Sequence, residues 1–238
     1  MREFAEIWSY LASGPLVWLT LTLVAYVVAD TLSAATGRSP WANPVLLAVI
    51  LLALTLWGTG TPYPVYFEGA QFVHFLLGPA TVALAVPLYQ QGRRLRRAVL
   101  PVLAGLVVGS VVAVVSALWI AAALGVDGEV LAALAPKSTT APVAIGIAES
   151  LGGSPTLAAV LVLLTGIVGA VMVTPLFNAL GITDRRARGL AVGVAAHGIG
   201  TARAFQVHPT AGAFAGIGMG LNAILTALLA PLVLRLFL

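Results

Sequence analysis

The chain has 238 residues, of which 60% are apolar and only 8% are charged. A soluble domain carries about 25% charged residues, so most of the surface of this chain must face lipid. The sequence contains no cysteine, which excludes disulfides, thiolate metal sites and catalytic thiols. The composition predicts an all-α, polytopic integral membrane protein.

Apolar stretches of the chain approach the roughly 20 residues that a spanning helix needs. In chain order they are 14–33, 43–58, 70–91, 98–124, 128–151, 155–180, 188–207 and 211–237. Because some are short or interrupted, they predict about six to eight membrane segments. We expect them to form a single membrane domain over residues 1–238.

Some of these stretches are predicted to be continuous helices and others to be interrupted. The continuous ones are 98–124, 155–180 and 211–237, and the interrupted ones are 70–91, 128–151 and 188–207. Gly78 and Pro79 interrupt the first of the latter group, Pro136 and Pro142 the second, and glycines the third. Irregular backbone at membrane depth must be buried in protein or line a water-filled cavity.

Two arginine clusters predict the orientation of the chain. They are Arg93, Arg94, Arg96 and Arg97, and Arg185, Arg186 and Arg188. Both lie between apolar stretches, where the positive-inside rule places cytoplasmic loops, and such clustering does not indicate binding of nucleic acid. Three stretches separate the two loops, so one stretch must re-enter, and the proline-interrupted 128–151 is the predicted one.

Two short stretches suggest a weak internal repeat. Residues 76–86 read LLGPATVALAV and residues 133–143 read ALAPKSTTAPV, with a hydroxyl two residues after each proline, at Thr81 and Ser138. Interrupted helices in corresponding places of a repeat are typical of a transporter's binding site. The alternative interpretation is two proline kinks in ordinary helices.

The only lysine of the chain, Lys137, follows Pro136. A lysine in the middle of a bilayer costs about 2.5–3.5 kcal/mol on insertion scales, so it is expected to face the protein interior or a water-filled cavity. Proline favours the first position of a helix and pushes the preceding Ala135 away from helical angles. A helix is therefore predicted to begin near residues 135–137, with Lys137 in its first turn.

The free N–H groups of a helix N-terminus carry positive partial charge, so a cation there is unfavourable unless an anion binds beside it. Ser138, Thr139 and Thr140 add hydroxyl donors, and the combination predicts a site for a small carboxylate or phosphate. The alternative is that Lys137 reaches the headgroups from a loop end. Glu149 would share a helix face with Ser138, either as a group that couples H⁺ or Na⁺ or as an interfacial residue.

The stretch AHGIGTARA at 196–204 is the second candidate for a binding segment. His197 and Thr201 share a face if the stretch is helical, and Gly198 and Gly200 can instead unwind it. The guanidinium of Arg203 matches a carboxylate in a bidentate fork. His197 titrates near neutral pH, which suits proton coupling; the alternative is a histidine that is hydrogen-bonded in a packed interior.

His74 is the other candidate for a coupling group, because it follows Glu68 and Gln71 at a spacing of three. The histidines of the chain, which include His197 and His208, show no spacing typical of metal ligands. We therefore expect no metal and no cofactor other than a coupling H⁺ or Na⁺.

Glycines recur every four residues at Gly212, Gly216 and Gly220. Such a stripe lets another backbone approach closely, so it predicts a packing groove and allows a homodimer. Asn222 lies beside the stripe, where it either bonds across helices or reaches a ligand. The sequence contains no HExxH or P-loop pattern and no sign of a catalytic triad, so it does not predict an enzyme.

Together these motifs resemble the LrgB/CidB family over nearly the whole chain. The stretches that carry the resemblance are PVLLAVILL at 44–52, YFEGAQFVHFLLGPATVALAVPLY at 66–89, LAPKSTTAPVAI at 134–145, LTGIVGA at 164–170, RARGLAVGVAAHGIGTARA at 186–204 and GAFAGIGMGLNAILTALLAPL at 212–232. The resemblance implies a multi-pass protein of the inner (cytoplasmic) membrane, made of one LrgB-like domain.

The resemblance implies two functions of different classes. One is transport of small monocarboxylates such as pyruvate, glycolate, lactate or glycerate, since the family is related to the plastidic glycolate/glycerate transporter and is implicated in pyruvate uptake. The other is an antiholin-like regulation of murein hydrolase activity and autolysis, together with an LrgA/CidA holin-like partner. A channel is a third interpretation that the sequence leaves open.

Overall fold

The computed structural model describes residues 14–76 and 98–238 together with positions 79, 82 and 89. Within those residues every regular element is a helix, which confirms the predicted all-α membrane fold. The chain divides into two compact units, residues 1–83 and 84–238. The Arg93–Arg97 cluster and Thr81, the first hydroxyl of the suggested repeat, lie outside the described residues.

Within its described residues, the first unit contains three α-helices and a short 3-10 turn. They are α1 (Pro15–Ala35), the turn Pro40–Ala42, α2 (Pro44–Thr59) and α3 (Tyr63–Phe75). The side chain of Asn43 caps α2 by accepting bonds from the N–H groups of Val45 and Leu46. Helix α1 packs against both α2 and α3, and Thr22 of α1 donates a hydrogen bond to the Tyr66 hydroxyl at 3.2 Å. Helix α3 covers only the start of the predicted segment 70–91.

The described part of the second unit, residues 98–238, contains six helices. They are α4 (Val99–Ala123), α5 (Gly128–Leu134), α6 (Ala141–Ser150), α7 (Pro155–Ala179), α8 (Arg185–Val207) and α9 (Pro209–Leu234). Among the described residues, α1, α4, α7 and α9 are long and apolar enough to cross a membrane. Helices α4, α7 and α9 match the three predicted continuous helices closely, because long uninterrupted apolar runs leave little choice of boundary.

Helices α5 and α6 form a helical hairpin, named hairpin A (residues 128–150). Ala133 of α5 and Ala148 of α6 belong to one buried cluster with Ala158 of α7. A Cβ on Gly153 would collide with the backbone of Ala132 and Ala133. The chain therefore reverses direction over residues 135–140, which confirms that the predicted segment 128–151 is interrupted.

The prediction that a helix begins near residues 135–137 is wrong. Ala135 keeps helical angles (φ −50°, ψ −47°) and is the C-cap of α5. The N–H of Lys137 then closes a turn on the carbonyl of Leu134. Helix α6 begins only at Ala141, where Pro142 stands in its first turn and Thr140 is the N-cap. Lys137 therefore lies in the tip of hairpin A and not in the first turn of a helix.

Helix α8 consists of two helical halves that form a second hairpin, named hairpin B (residues 185–207). Ala196 (φ −128°, ψ 17°) and His197 (φ 41°, ψ −133°) have non-helical angles. A Cβ on Gly200 would touch the side chain of Val192, although eight residues of straight helix would separate the two by about 12 Å. Val192 and Ala204 also share a buried cluster, so the second half of α8 runs back along the first.

The two hairpins enter the unit from opposite ends of α9. Near the start of α9, Ala211 and Ala215 lie directly against Gly189 and Gly193 of hairpin B. Near its end, Ala230 and Leu234 share a buried cluster with Leu131 of hairpin A. Helix α7 connects the base of hairpin A to the base of hairpin B, and the two hairpin tips meet beside the middle of α9.

Candidate functional site

The side chain of Asn222 in α9 joins the two hairpin tips. Its amide nitrogen donates hydrogen bonds to the carbonyls of Ser138 in hairpin A and Val194 in hairpin B, both at 3.1 Å. Its amide oxygen accepts from the hydroxyls of Ser110 at 2.6 Å and Thr226 at 3.2 Å. An asparagine side chain has two donor and two acceptor positions, so all four are filled. Asn222 is 1% exposed and bonds across helices.

The tip of hairpin A presents an ammonium group and hydroxyls. Lys137 is half-buried, and its Nζ donates to the Ser138 hydroxyl at 3.1 Å. Thr139 is fully buried, and its hydroxyl donates to the Pro136 carbonyl at 2.9 Å, which closes the turn. Thr140 is half-buried, and its side chain makes no capping bond.

The break in hairpin B is centred on His197, which is 3% exposed. Its Nε2 lies 2.9 Å from the carbonyl of Val162 in α7; because a carbonyl only accepts, Nε2 carries the hydrogen. The hydroxyl of Thr201 donates to the His197 carbonyl at 2.7 Å. A left-handed φ at a residue other than glycine costs about 1–3 kcal/mol, and such residues cluster at functional sites.

Most of the residues that the sequence singled out lie around these tips. We name Lys137, Ser138, His197, Thr201 and Asn222 the junction. Asn222 bonds to Ser138 at one tip and to Val194, three residues before His197, at the other, so the two tips lie close together. The Thr201 hydroxyl also contacts the sulfur of Met219 at 3.9 Å, one turn of α9 before Asn222.

Two candidate residues, Arg203 and Glu149, lie apart from the junction, and the side chain of a third, His74, is not among those that the structure describes. Arg203 lines a separate cleft at the base of hairpin B, where it donates to the Gln206 side chain at 3.3 Å. Glu149 is exposed near the end of α6, and α6 does not extend back to Ser138 as their shared face would require. His74 belongs to α3, and its side chain lies outside the described residues.

We name the cleft that contains Arg203 the arginine cleft; its lining includes Arg185, Arg188, Arg203, Val173, Phe177 and Val207. The guanidinium of Arg188 donates to the Asn178 side chain at 2.8 Å and lies 5.7 Å from the centre of the Phe177 ring. The enclosed volume is about 20 Å³, which is room for one water-sized group.

A larger cavity of about 380 Å³ lies between α4, α8 and α9, with Leu190 and Phe214 in its lining. Asp184 and Arg186 form an ion pair at this cavity, with 2.7 Å between their side chains. The hydrogen bond from Arg186 lowers the pKa of Asp184 to about 2. Within residues 14–76 and 98–238, no three His, Asp or Glu side chains cluster as metal ligands would.

Sequence reasoning missed the partners that hold the junction in place. Ser110 and Thr226 bond to Asn222, and a Cβ on Gly166 of α7 would collide with the His197 ring. Ser110 had a weak signal, because Ser110 and Ser116 are the two hydroxyls of the strongly apolar stretch 98–124. Gly166 had none, since nothing local shows which side chain packs against it.

The glycine stripe of α9 is only partly filled by neighbours. A Cβ on Gly212 would overlap the Phe205 ring of hairpin B, whereas a Cβ on Gly216 or Gly220 would meet nothing within 4 Å. The first glycine therefore serves packing inside the unit, as the stripe predicted. The homodimer that the stripe allows stays a prediction.

The fold and the junction define a polytopic helical membrane protein with two opposed hairpins. The model of the LrgB-like family matches residues 22–236, and the chain belongs to this family, as the motifs predicted. The uncharacterized protein YxaC of Bacillus subtilis (strain 168) is 35% identical over 222 residues, which cover 93% of this chain and 96% of that protein.

Two relatives carry a more informative name. The Holin-like protein CidB of Staphylococcus epidermidis (strain ATCC 12228 / FDA PCI 1200) is 31% identical over 219 residues, 92% of this chain and 95% of that protein. The Holin-like protein CidB of Staphylococcus aureus (strain N315) is 30% identical over 222 residues, 93% and 96% of the two chains. No solved structure matches the chain.

Proposed function

We propose that this LrgB-like protein carries small monocarboxylates of the pyruvate, glycolate, lactate or glycerate type across the inner (cytoplasmic) membrane. The observation that carries the proposal is the meeting of two hairpin tips that enter from opposite ends of α9. Interrupted helices that meet near the middle of the bilayer form the binding sites of many secondary transporters. The positive-inside rule predicts that both arginine clusters, Arg185–Arg188 and Arg93–Arg97, face the cytoplasm in this carrier.

The tip of hairpin A would hold the carboxylate. Lys137 supplies the positive charge, and the Ser138 hydroxyl, which accepts from Lys137, keeps its own O–H to donate. Thr140 offers a second hydroxyl. By contrast, Thr139 and Thr201 donate to backbone carbonyls and Asn222 is saturated, so these three would shape the site without binding the substrate.

His197 would couple transport to H⁺. Asn222 holds the tips that carry Lys137 and His197 together, so the charge on Lys137 would oppose a second positive charge on His197, and a bound carboxylate would cancel that opposition. A proton and a carboxylate would then bind together, which is a coupling free energy between two neighbouring sites. Na⁺ is the alternative coupling ion, and Glu149 and His74 stay candidates for that role.

Uptake of labelled pyruvate, glycolate, lactate and glycerate into proteoliposomes tests the carrier. We expect saturable uptake of at least one substrate, driven by an imposed H⁺ gradient. Lys137→Gln removes the charge at similar size and should lower uptake about tenfold or more, since a charged hydrogen bond contributes about 1.5–3 kcal/mol. Arg235→Gln, which removes a charge at the exposed end of α9, is the matched control and should transport normally.

The carrier proposal fails if the wild-type protein takes up none of the four substrates, or if Lys137→Gln transports as well as wild type. Uptake that rises linearly with concentration would indicate a channel. Uptake that follows a Na⁺ gradient and ignores a H⁺ gradient would remove His197 from the coupling role.

The second candidate function is antiholin-like regulation of murein hydrolase activity and autolysis with an LrgA/CidA-type partner. The name of these relatives, Holin-like protein CidB, favours this candidate more directly than it favours the carrier. A regulator would need its tips only for assembly, so Lys137→Gln should leave its effect on lysis unchanged. Measuring lysis and uptake on the same variant, with and without the partner, separates the two functions.

A further inference from the structure

We propose that the arginine cleft at the base of hairpin B binds the phosphate headgroup of an anionic phospholipid. The cleft gathers guanidinium groups from both halves of the hairpin, Arg185 and Arg188 from the first and Arg203 from the second. This binding is separate from the carrier or regulator function proposed above, and it needs neither of them.

The positive charges of the cleft favour an anion. Neither Arg185 nor Arg188 belongs to the two ion pairs of the described residues, which join Arg38 to Asp30 and Arg186 to Asp184. Three guanidinium groups on one small cleft repel one another, and a phosphate oxygen removes that repulsion by accepting several charged hydrogen bonds.

Two of the guanidinium groups, those of Arg188 and Arg203, are held in place before any ligand arrives. Arg188 is fixed by the Asn178 side chain and the Phe177 ring. Arg203 is 7% exposed and bonds to Gln206. Arg185 is exposed, so the positive groups extend from the buried side of the cleft to its opening, and only Arg185 must be ordered on binding.

The surroundings of the cleft favour a lipid over a free anion. Its inner space of about 20 Å³ has room for about one phosphate oxygen, and the rest of the headgroup would lie at the opening of the cleft. Val207 at the end of α8 lines the cleft and is exposed. A basic pocket beside apolar surface at a helix end fits an anionic headgroup whose acyl chains lie along the helices.

Native mass spectrometry of the full chain, purified in detergent and titrated with phosphatidylglycerol or phosphatidylcholine, tests the inference. We expect preferential binding of phosphatidylglycerol. Each removed charge should weaken that binding roughly fivefold, so Arg185→Gln should show this loss without disturbing the interior. Arg203→Lys keeps the charge and should retain more binding than Arg203→Gln.

Arg186→Gln is the matched control, because Arg186 is a neighbouring arginine that does not line the cleft; it should bind phosphatidylglycerol as wild type does. Equal losses in Arg186→Gln and Arg185→Gln, or equal binding of the two lipids, would overturn the inference. Inorganic phosphate that displaces phosphatidylglycerol at equal concentration would also overturn it, in favour of a site for free anions.

Discussion

Hairpins A and B reverse the chain by different means. Hairpin A reverses over residues 135–140, between Pro136 and Pro142, with a turn bond from Thr139 to the Pro136 carbonyl. Hairpin B contains no proline and reverses at Ala196 and His197, with a left-handed φ of 41° at His197. The first reversal is encoded locally, whereas the second depends on what surrounds it.

The surroundings of hairpin B are glycines that bring helices into close contact. Gly166 and Gly169 of α7 leave room for the His197 ring and for Ala196, and Gly193 lets the hairpin touch the backbone of α9 at Ala215. Local chemistry can therefore specify a proline turn, but a strained turn at histidine requires neighbours that hold it. Variants that affect both hairpins, or only one, test this difference.

Replacing the residue that joins both hairpins should have the largest effect. Asn222→Ala leaves four buried polar groups without their partner, and we expect a loss of about 2–4 kcal/mol in the free energy of unfolding. Thermal unfolding in detergent micelles measures it. Thr226→Val, which removes only one of the four bonds, should cost about 0.5–1 kcal/mol; equal losses in the two variants would contradict the joining role.

The second largest difference in stability is expected when one methyl group is added to each hairpin. Gly193→Ala places a Cβ against the α9 backbone, and such overpacking costs about 1–3 kcal/mol. Gly146→Ala makes the same change in hairpin A, where nothing lies within 4 Å, and should stabilise α6 by up to about 1 kcal/mol. A stable Gly193→Ala variant would show that hairpin B does not depend on this close contact.

The backbone strain at the tip of hairpin B should appear as a difference in stability between the variants His197→Gly and His197→Ala. His197→Gly and His197→Ala both lose the bond to Val162, but only alanine keeps a Cβ at the left-handed φ. We expect the glycine variant to be more stable by about 1 kcal/mol, after allowance for its more flexible unfolded chain. Chemical denaturation of both variants checks this; if alanine is the more stable, the strain is absent.

The smallest effect concerns the base of hairpin B. Asp184 caps α8, and its pKa is lowered from 3.8 to about 2, chiefly by the hydrogen bond from Arg186. The stabilisation is therefore present above about pH 4 and is lost as the pH falls towards 2. Because both side chains are about half exposed, the loss should be small.

An acid titration of thermal stability measures this effect. Asp184→Asn should show less loss between pH 4 and pH 2 than wild type does, and Arg186→Gln should move the midpoint upward towards the ordinary pKa of an aspartate. Identical profiles of stability against pH for all three proteins would show that this ion pair does not stabilise hairpin B.

Residues of the junction differ in how far the sequence could predict them. Lys137 and Ser138 were recognisable because a charge and hydroxyls beside prolines stand out in an apolar chain. His197 and Thr201 were recognisable for the same reason, but the position of the break was not, since Gly198 and Gly200 were the residues expected to unwind. Arg203 could not be assigned to the arginine cleft, because the hairpin that brings it near Arg185 was not visible in the sequence.

The sequence by itself determined the class of protein, the boundaries of α4, α7 and α9, and the interruption of hairpin A. Those features depend on the length of apolar runs and on prolines, which act over a few neighbouring residues. Only the tertiary structure decided the opposite directions of the hairpins and the role of Asn222. Asn222 bonds to Ser138, 84 positions before it, and to Val194, 28 positions before it. Contacts over such separations follow from packing.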